Sequence, residues 1–268
     1  QGEHRIAVPD ALEGLCDIAR AARARSRAIV VGVTGSVGKT TTKEAIRVVF
    51  EAAGQTHASI KSFNNHWGVP LMLARLPERA QFGVFEMGMN APDEIRPLSR
   101  LVRPHIAVIT TVAAAHLEAF GSLDGIARAK AEIFAGLEPG GTAVLNADHP
   151  QLAVLLDETN AAGIGNVVTY GEARGADWRI VDVETAAAQR RFFAPVCDNS
   201  GLVHLLGLAQ VVVDGNASVV LHALLRGIAP GATGQLAGRI RIWMWRARSK
   251  AGRIAQRQRL AVFLGLHL

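Results

Sequence analysis

The chain has 268 residues, 49% of them apolar, enough to bury a full core as one large domain or two small ones. No apolar run reaches the roughly 18 residues of a membrane-spanning helix. The formal charge of +6 comes from the end of the chain. Residues 239–268 carry eight Lys or Arg and no acid, which leaves residues 1–238 at −2, so the basic balance does not make the whole chain a nucleic-acid binder. Cys16 and Cys197 lie far apart without metal-ligand spacing and read as reduced thiols of a cytoplasmic protein. No secretory leader is visible. The chain begins at Gln1 and not at Met, as a fragment or a processed protein would.

Residues 1–27 form a lead-in. Leu12, Leu15, Cys16 and Ala19 make a helical face, and Arg20, Arg23, Arg25 and Arg27 crowd the end, where cations suit a helix C-terminus. Ala28-Ile29-Val30-Val31 then predicts a buried strand. The stretch from Gly32 to Thr42 follows, Gly-Val-Thr-Gly-Ser-Val-Gly-Lys-Thr-Thr-Thr. After it, Ile46, Val49, Phe50 and Ala53 repeat as one face of a helix, with Gly54 as its C-cap. A glycine-rich turn between a strand and a helix N-terminus points its N–H groups inward and adds the positive end of the helix dipole. On that pattern Gly35, Ser36, Val37, Gly38, Lys39, Thr40 and Thr41 form a nucleotide phosphate (ATP-type) cradle; the alternative is a glycine-rich turn with an incidental Lys. Lys39 reaches the terminal phosphates, and the Thr40 hydroxyl ligates Mg2+. The glycines at 32, 35 and 38 depart from the strict phosphate-loop spacing, which would put Gly at Val33.

Phe63-Asn64-Asn65-His66-Trp67-Gly68-Val69-Pro70 marks a loop, with Pro70 opening a helix Leu71–Leu76. The two carboxamides, Asn64 and Asn65, serve either the turn or a substrate. Phe82–Phe85 predicts a second strand. Glu86, past its C-terminal end, sits where open α/β sheets keep ligands; it is a candidate for Mg2+ or a surface carboxylate. Ile106–Thr110 predicts a third strand, with His116 beyond its end as a ligand or a structural histidine. Ser122 caps a helix running to about Leu137. On its apolar face, among Ile126, Ile133 and Phe134, falls Lys130. A buried ammonium there needs a partner, a wet site or a modification; otherwise the side chain snorkels to water. Thr142–Leu145 and Val167–Tyr170 predict two more strands. Strands alternating with helices over 28–170 mean an α/β fold, a mostly parallel sheet of phosphate-loop type with helices on both faces. Trp178–Val183, Arg191–Phe193 and Leu202–Leu206 suggest a small β subregion, and Asn216 caps an apolar helix from Val219 to Leu225.

These stretches resemble the Mur ligases, ATP-dependent amide-forming enzymes of peptidoglycan precursor synthesis. Thr34 to Thr41 matches the family loop Thr-Gly-(Thr/Ser)-x-Gly-Lys-Thr-Thr, which accounts for the glycine spacing. Three stretches, Asn64–Leu71, Phe85–Asn90 and Ala113–Ser122, with Ala129–Phe134 at the family's spacing, resemble the branch that joins D-alanyl-D-alanine to UDP-N-acetylmuramoyl-tripeptide. The resemblance implies Mg2+ on Glu86 and His116. It implies carbamylation of Lys130 into an anionic metal ligand, a nucleotide-side motif at Asn146 and Asp148, and an adenine contact at Asn216. Catalysis would then rest on Lys39, His116 and Lys130.

It also implies a division into a lead-in (1–27), a central ATP-binding domain (28–238) and a basic atypical tail (239–268), the tail matching nothing in the family's C-terminal domain. The tail reads as aberrant or out-of-frame sequence, or as a basic helix on a membrane surface. With too little chain for either flanking domain, weak Mg2+-ATP binding and little or no ligation are expected. The alternatives are another ligase of the Mur or folylpolyglutamate synthase type, and a nucleotide-binding module without ligation.

Overall fold

The structure, a computed structural model, describes residues 7–115 and 117–178, with Ala52 by its backbone alone, and the backbone of 179, 181–186 and 189–193. In chain order the elements are α1 (Ala11–Arg25), β1 (Ile29–Thr34), α2 (Lys39–Ala53), β2 (Thr56–Ala58), α3 (Gly68–Ala74), β3 (Phe82–Glu86), α4 (Ile95–Val102) and β4 (Ile106–Ile109). After them come α5 (Leu117–Phe120), α6 (Leu123–Ala131), a 3-10 turn (Glu132–Gly136), β5 (Thr142–Asn146), α7 (Leu152–Ala161), β6 (Asn166–Gly171), β7 (Trp178–Arg179), β8 (Val181–Ala186) and β9 (Gln189–Phe193).

Among the described residues seven strands form one sheet in the order β2-β3-β1-β4-β5-β6-β7, and each neighbouring pair of them is parallel. Its central strands are apolar apart from polar residues at their ends, because both faces are covered. Side chains alternate between two core clusters, as the period of two requires. Val30, Phe85, Ala107 and Leu145 pack toward α1, α3, α4 and α6, whereas Val31, Val84, Val108 and Val144 pack with Ile46 and Phe50 of α2. Each large side chain sealed this way stabilises the fold by roughly 1.5–3 kcal/mol.

The chain leaves β1 for the edge strand β2, returns through β3 to one side of β1, and then crosses to β4 on the other. The strand order therefore reverses at β1, and the crevice beyond the C-terminal ends of β1 and β4 is where such a sheet binds ligands.

Several boundaries differ from the sequence expectation. The helix assigned to 71–76 begins earlier, at Gly68, because Asn65 Oδ1 accepts from the N–H groups of Trp67 (3.2 Å) and Gly68 (2.8 Å); Pro70 is its third residue and not its first. Ser122 caps α6 as expected, accepting from Gly125 N at 3.0 Å, but the helix tightens into the 3-10 turn after Ala131. The run 178–183 is divided. β7 joins the main sheet, and β8 pairs antiparallel with β9 as a separate hairpin. Arg23 does lie in the last turn of α1, but its buried guanidinium serves another helix: Nε donates to Val102 O and Nη2 to Arg103 O, both at 2.8 Å, closing the C-terminus of α4. Cys197, the run 202–206, the helix at 219–225 and the tail 239–268 lie outside the described residues. Among the described residues no helix is long and apolar enough to cross a membrane.

Candidate active site

Thr34 ends β1, and the loop that follows is locked to the end of β4. Ser36 N donates to Thr111 O (2.8 Å), Val37 N to Thr111 Oγ1 (3.0 Å), and Thr110 Oγ1 to Val37 O (2.6 Å). The Ser36 hydroxyl donates to Ala113 O and accepts from Ala113 N, each at 3.0 Å. Gly35 allows this approach: a Cβ there would lie 1.9 Å from Thr110 Oγ1. Gly38, with φ 84°, is the N-cap of α2 in the left-handed region that favours glycine. Among the described residues no side chain caps this helix, and no acid stands in its first turn. Its first N–H groups and the positive end of its dipole are thus available to an anion.

Lys39 opens α2 and folds back over the loop, its Nζ donating to Gly35 O (2.8 Å) and Ser36 O (3.4 Å). Burial lowers its pKa, and the nearby Glu86 carboxylate partly restores it. Thr40 and Thr41 are exposed on the same first turn. Glu86, the last residue of β3, is 1% exposed, which removes the surface-carboxylate reading. One of its oxygens accepts from Thr40 Oγ1 and the other from Asn64 Nδ2, both at 2.8 Å. Lys130 on α6 is 4% exposed, so it does not snorkel, and among the described residues its amine has no hydrogen-bond partner. Burial, then the neighbouring charge of Lys39, lowers its pKa to about 7.

The remaining expected residues divide between bracing and positions outside the described residues. Asn65 caps α3, as above. Asn146, at the end of β5, is buried; its Nδ2 donates to Thr110 O (3.2 Å) and its Oδ1 accepts from Asp148 N (2.8 Å). The Asp148 carboxylate accepts from the N–H groups of Glu172 (2.9 Å) and Ala173 (2.8 Å). His116 and Asn216 lie outside the described residues. The structure adds groups that sequence reasoning passed over. Thr110 and Thr111 hold the loop, Tyr170 Oη donates to Thr110 O at 2.9 Å, and Lys43 on α2 is fully buried. Lys43 was legible by the spacing used for Lys130, since residues 43, 46, 50 and 53 share one helical face.

A phosphate-type loop at the switch point of an all-parallel sheet, with a buried carboxylate on its threonine and a buried amine beside its lysine, defines a phosphate-loop α/β protein. The family model for the Mur ligase middle domain matches residues 33–212, and the chain belongs to the Mur ligase family. The UDP-N-acetylmuramoyl-tripeptide--D-alanyl-D-alanine ligase of Bacillus subtilis is 37% identical over 225 residues, covering 84% of this chain and 47% of that protein. The Escherichia coli ligase of the same name is 41% identical over 145 residues, 54% of this chain and 32% of its own. Among solved structures, MurF from Acinetobacter baumannii superposes with a TM-score of 0.69 at 28% identity, covering 88% of this chain and 50% of that one. MurF from Thermotoga maritima, in complex with ADP, gives 0.65 at 25%, covering 82% and 50%. The chain thus spans about half the length, or less, of these relatives.

Proposed function

We propose that this chain is the ATP-binding core of a ligase that joins D-alanyl-D-alanine to UDP-N-acetylmuramoyl-tripeptide in cytoplasmic peptidoglycan precursor synthesis. The observation that carries nucleotide binding is the uncapped start of α2, with Lys39 folded over the loop. An arriving triphosphate takes the N–H groups of the loop and helix and draws Lys39 Nζ from the carbonyls of Gly35 and Ser36. The relatives' names supply the substrates, and the ADP complex of one relative supports the nucleotide.

The residues present fit a Mg2+ ion. The Thr40 hydroxyl and the Glu86 carboxylate are hard oxygen donors already in contact, and both stand at the loop. When bound, the ion neutralises phosphate charge. His116 is assigned to the same ion. Lys130, with its pKa near 7, holds much of its amine neutral at physiological pH, the form that adds to CO2 and loses a proton to give a carbamate. That product replaces a buried amine, which has no hydrogen-bond partner among the described residues, with an anion beside Lys39.

The reaction runs in two steps. The tripeptide carboxylate attacks the γ-phosphorus of ATP, expelling ADP and forming an acyl phosphate. The amine of D-alanyl-D-alanine adds to that carbonyl, and the tetrahedral intermediate expels phosphate, with the amine's proton passing to the departing phosphate, to leave the amide. Lys39 stabilises the charge on the transferring phosphoryl group, and the loop, locked to β4, fixes its position. Asn146, Asp148 and Asn216 are assigned to the nucleoside side, and Asn64 and Asn65 to the acceptor side.

Calorimetric titration of the chain with Mg2+-ATP is expected to show binding that Lys39→Ala weakens at least about tenfold. Whatever phosphate the chain releases, measured with each of the two substrates omitted in turn, is expected to require both. An affinity indifferent to Lys39→Ala would overturn the phosphate-loop assignment, and phosphate release without either substrate would overturn the ligase assignment.

A further inference from the structure

Lys43 lies one turn beyond Lys39 and Thr40 on α2, faces the core, and is fully buried. A buried ammonium is tolerated only when its three donors are used. Here they are: Nζ donates to Ser59 O (2.7 Å) and Lys61 O (3.0 Å), and pairs with Glu44 Oε1 at 3.0 Å. The two carbonyls belong to the segment that follows β2. Lys61 there has φ 51°, a left-handed conformation that a lysine rarely adopts unless its surroundings hold it.

That segment leads directly to Glu86. Ser59 N donates to Val84 O at 2.9 Å, and Ser59 Oγ accepts from Glu86 N at 3.4 Å. Three residues past Lys61, Asn64 accepts from Gly88 N through its backbone carbonyl and donates its side-chain amide to Glu86, both at 2.8 Å. Glu86 is therefore gripped from two sides, and both grips originate on α2. Thr40 holds one oxygen directly, and Lys43 holds the segment that brings Asn64 to the other.

We infer that Lys43 is a positioning residue: by gripping the carbonyls of Ser59 and Lys61 it sets the Asn64 arm on Glu86 and couples the phosphate-loop helix to the carboxylate proposed to face the metal. The inference rests on the Mg2+-ATP reading of this site. It gives α2 a second task besides binding phosphate, because any shift of α2 on filling the loop is passed through Lys43 to the segment 59–64.

The test uses the full chain and two variants, Lys43→Met, which keeps the side-chain volume, and Asn64→Ala, which cuts the arm at its far end. The first readout is hydrogen exchange without nucleotide. Lys43→Met is expected to speed exchange of the Glu86 and Gly88 amides at least about tenfold while those of β1 and β4 stay protected. The second is the ratio of ATP dissociation constants without and with Mg2+. Each variant is expected to reduce that ratio severalfold with little change in Mg2+-free affinity, and the double variant to reduce it no further than Asn64→Ala alone, as a shared path requires.

Unchanged exchange, or faster exchange with an unchanged Mg2+ ratio, overturns the inference; the second result would make Lys43 a purely structural residue. If Lys43→Met does not fold, Asn64→Ala decides, and an unaltered Mg2+ ratio there is equally fatal. A wild-type chain that binds no nucleotide removes the functional reading and this inference with it, while the exchange data still report whether Lys43 holds the arm.

Discussion

Two buried lysines on two helices show how surroundings assign a residue its task. Lys43 has three acceptors, so its charge is spent on holding a loop. Lys130 has no hydrogen-bond partner among the described residues and a second cation nearby, so its protonated form is the unstable one. The folded pKa of about 7 lies below the ordinary 10.5, so between these values the unfolded chain holds a proton that the folded chain lacks. Stability then rises with pH across that window, by up to roughly 1.4 kcal/mol per unit, and the penalty is complete below about pH 7. Urea unfolding of wild type and Lys130→Met in EDTA and bicarbonate-free buffer isolates this contribution. The variant is expected to be more stable near neutral pH by up to a few kcal/mol, with the difference shrinking toward pH 10.5. A difference that stays constant with pH would mean that the amine is solvated and not buried.

Elements were legible in the sequence where one physical signal dominated. The central strands are covered on both faces, so they read as apolar runs, and Ser122 announced α6 by its cap. β2 was missed because three residues carry no pattern, and α4 because Pro92 and Pro97 disguise a short helix. What ends α4 could not be read locally at all. Its start is closed by Glu132, 36 to 39 residues away, whose carboxylate accepts from the N–H groups of Asp93 (2.6 Å), Ile95 (3.1 Å) and Arg96 (3.0 Å). Its end is closed by Arg23, 79 and 80 residues away. Likewise Glu86 and Lys39 were legible from their place beside a strand or loop, whereas the contact of Asn64 with Glu86 spans 22 residues and needed the fold. Glu132 stands two residues after Lys130, so its cap also fixes the turn that carries the amine. Glu132→Ala leaves three N–H groups without their acceptor and is expected to cost roughly 2–4 kcal/mol, seen as a lower urea midpoint at an unchanged slope. A loss under about 0.5 kcal/mol would show that water replaces the carboxylate at no cost.

At the scale of the whole molecule, the two edges of the sheet have separate duties. The C-terminal edge gathers the phosphate loop and Glu86, with Thr110 and Asn146 bracing them. The N-terminal edge gathers connections that serve stability: His105 Nδ1 accepts from Val30 N at 3.0 Å, and Arg103 pairs with Glu138 at 2.7 Å. One glycine at each edge separates the two. Gly140, in the turn into β5, has φ 75° and open space around its Cβ position, so Gly140→Ala meets only backbone strain of roughly 1–2 kcal/mol. Gly35→Ala drives a methyl group into Thr110 Oγ1, the hydroxyl that holds Val37, and so dislodges the loop itself. Thermal unfolding with and without saturating Mg2+-ATP reads both duties at once. Gly140→Ala is expected to lower the midpoint in both conditions and leave the nucleotide-dependent rise intact, because the strain is present with or without ligand. Gly35→Ala is expected to abolish that rise, because a ligand stabilises only a native state that binds it. If Gly35→Ala retained the full rise, the phosphate would have to be held without the lock between the loop and β4, and the placement of the site at the switch point would fail.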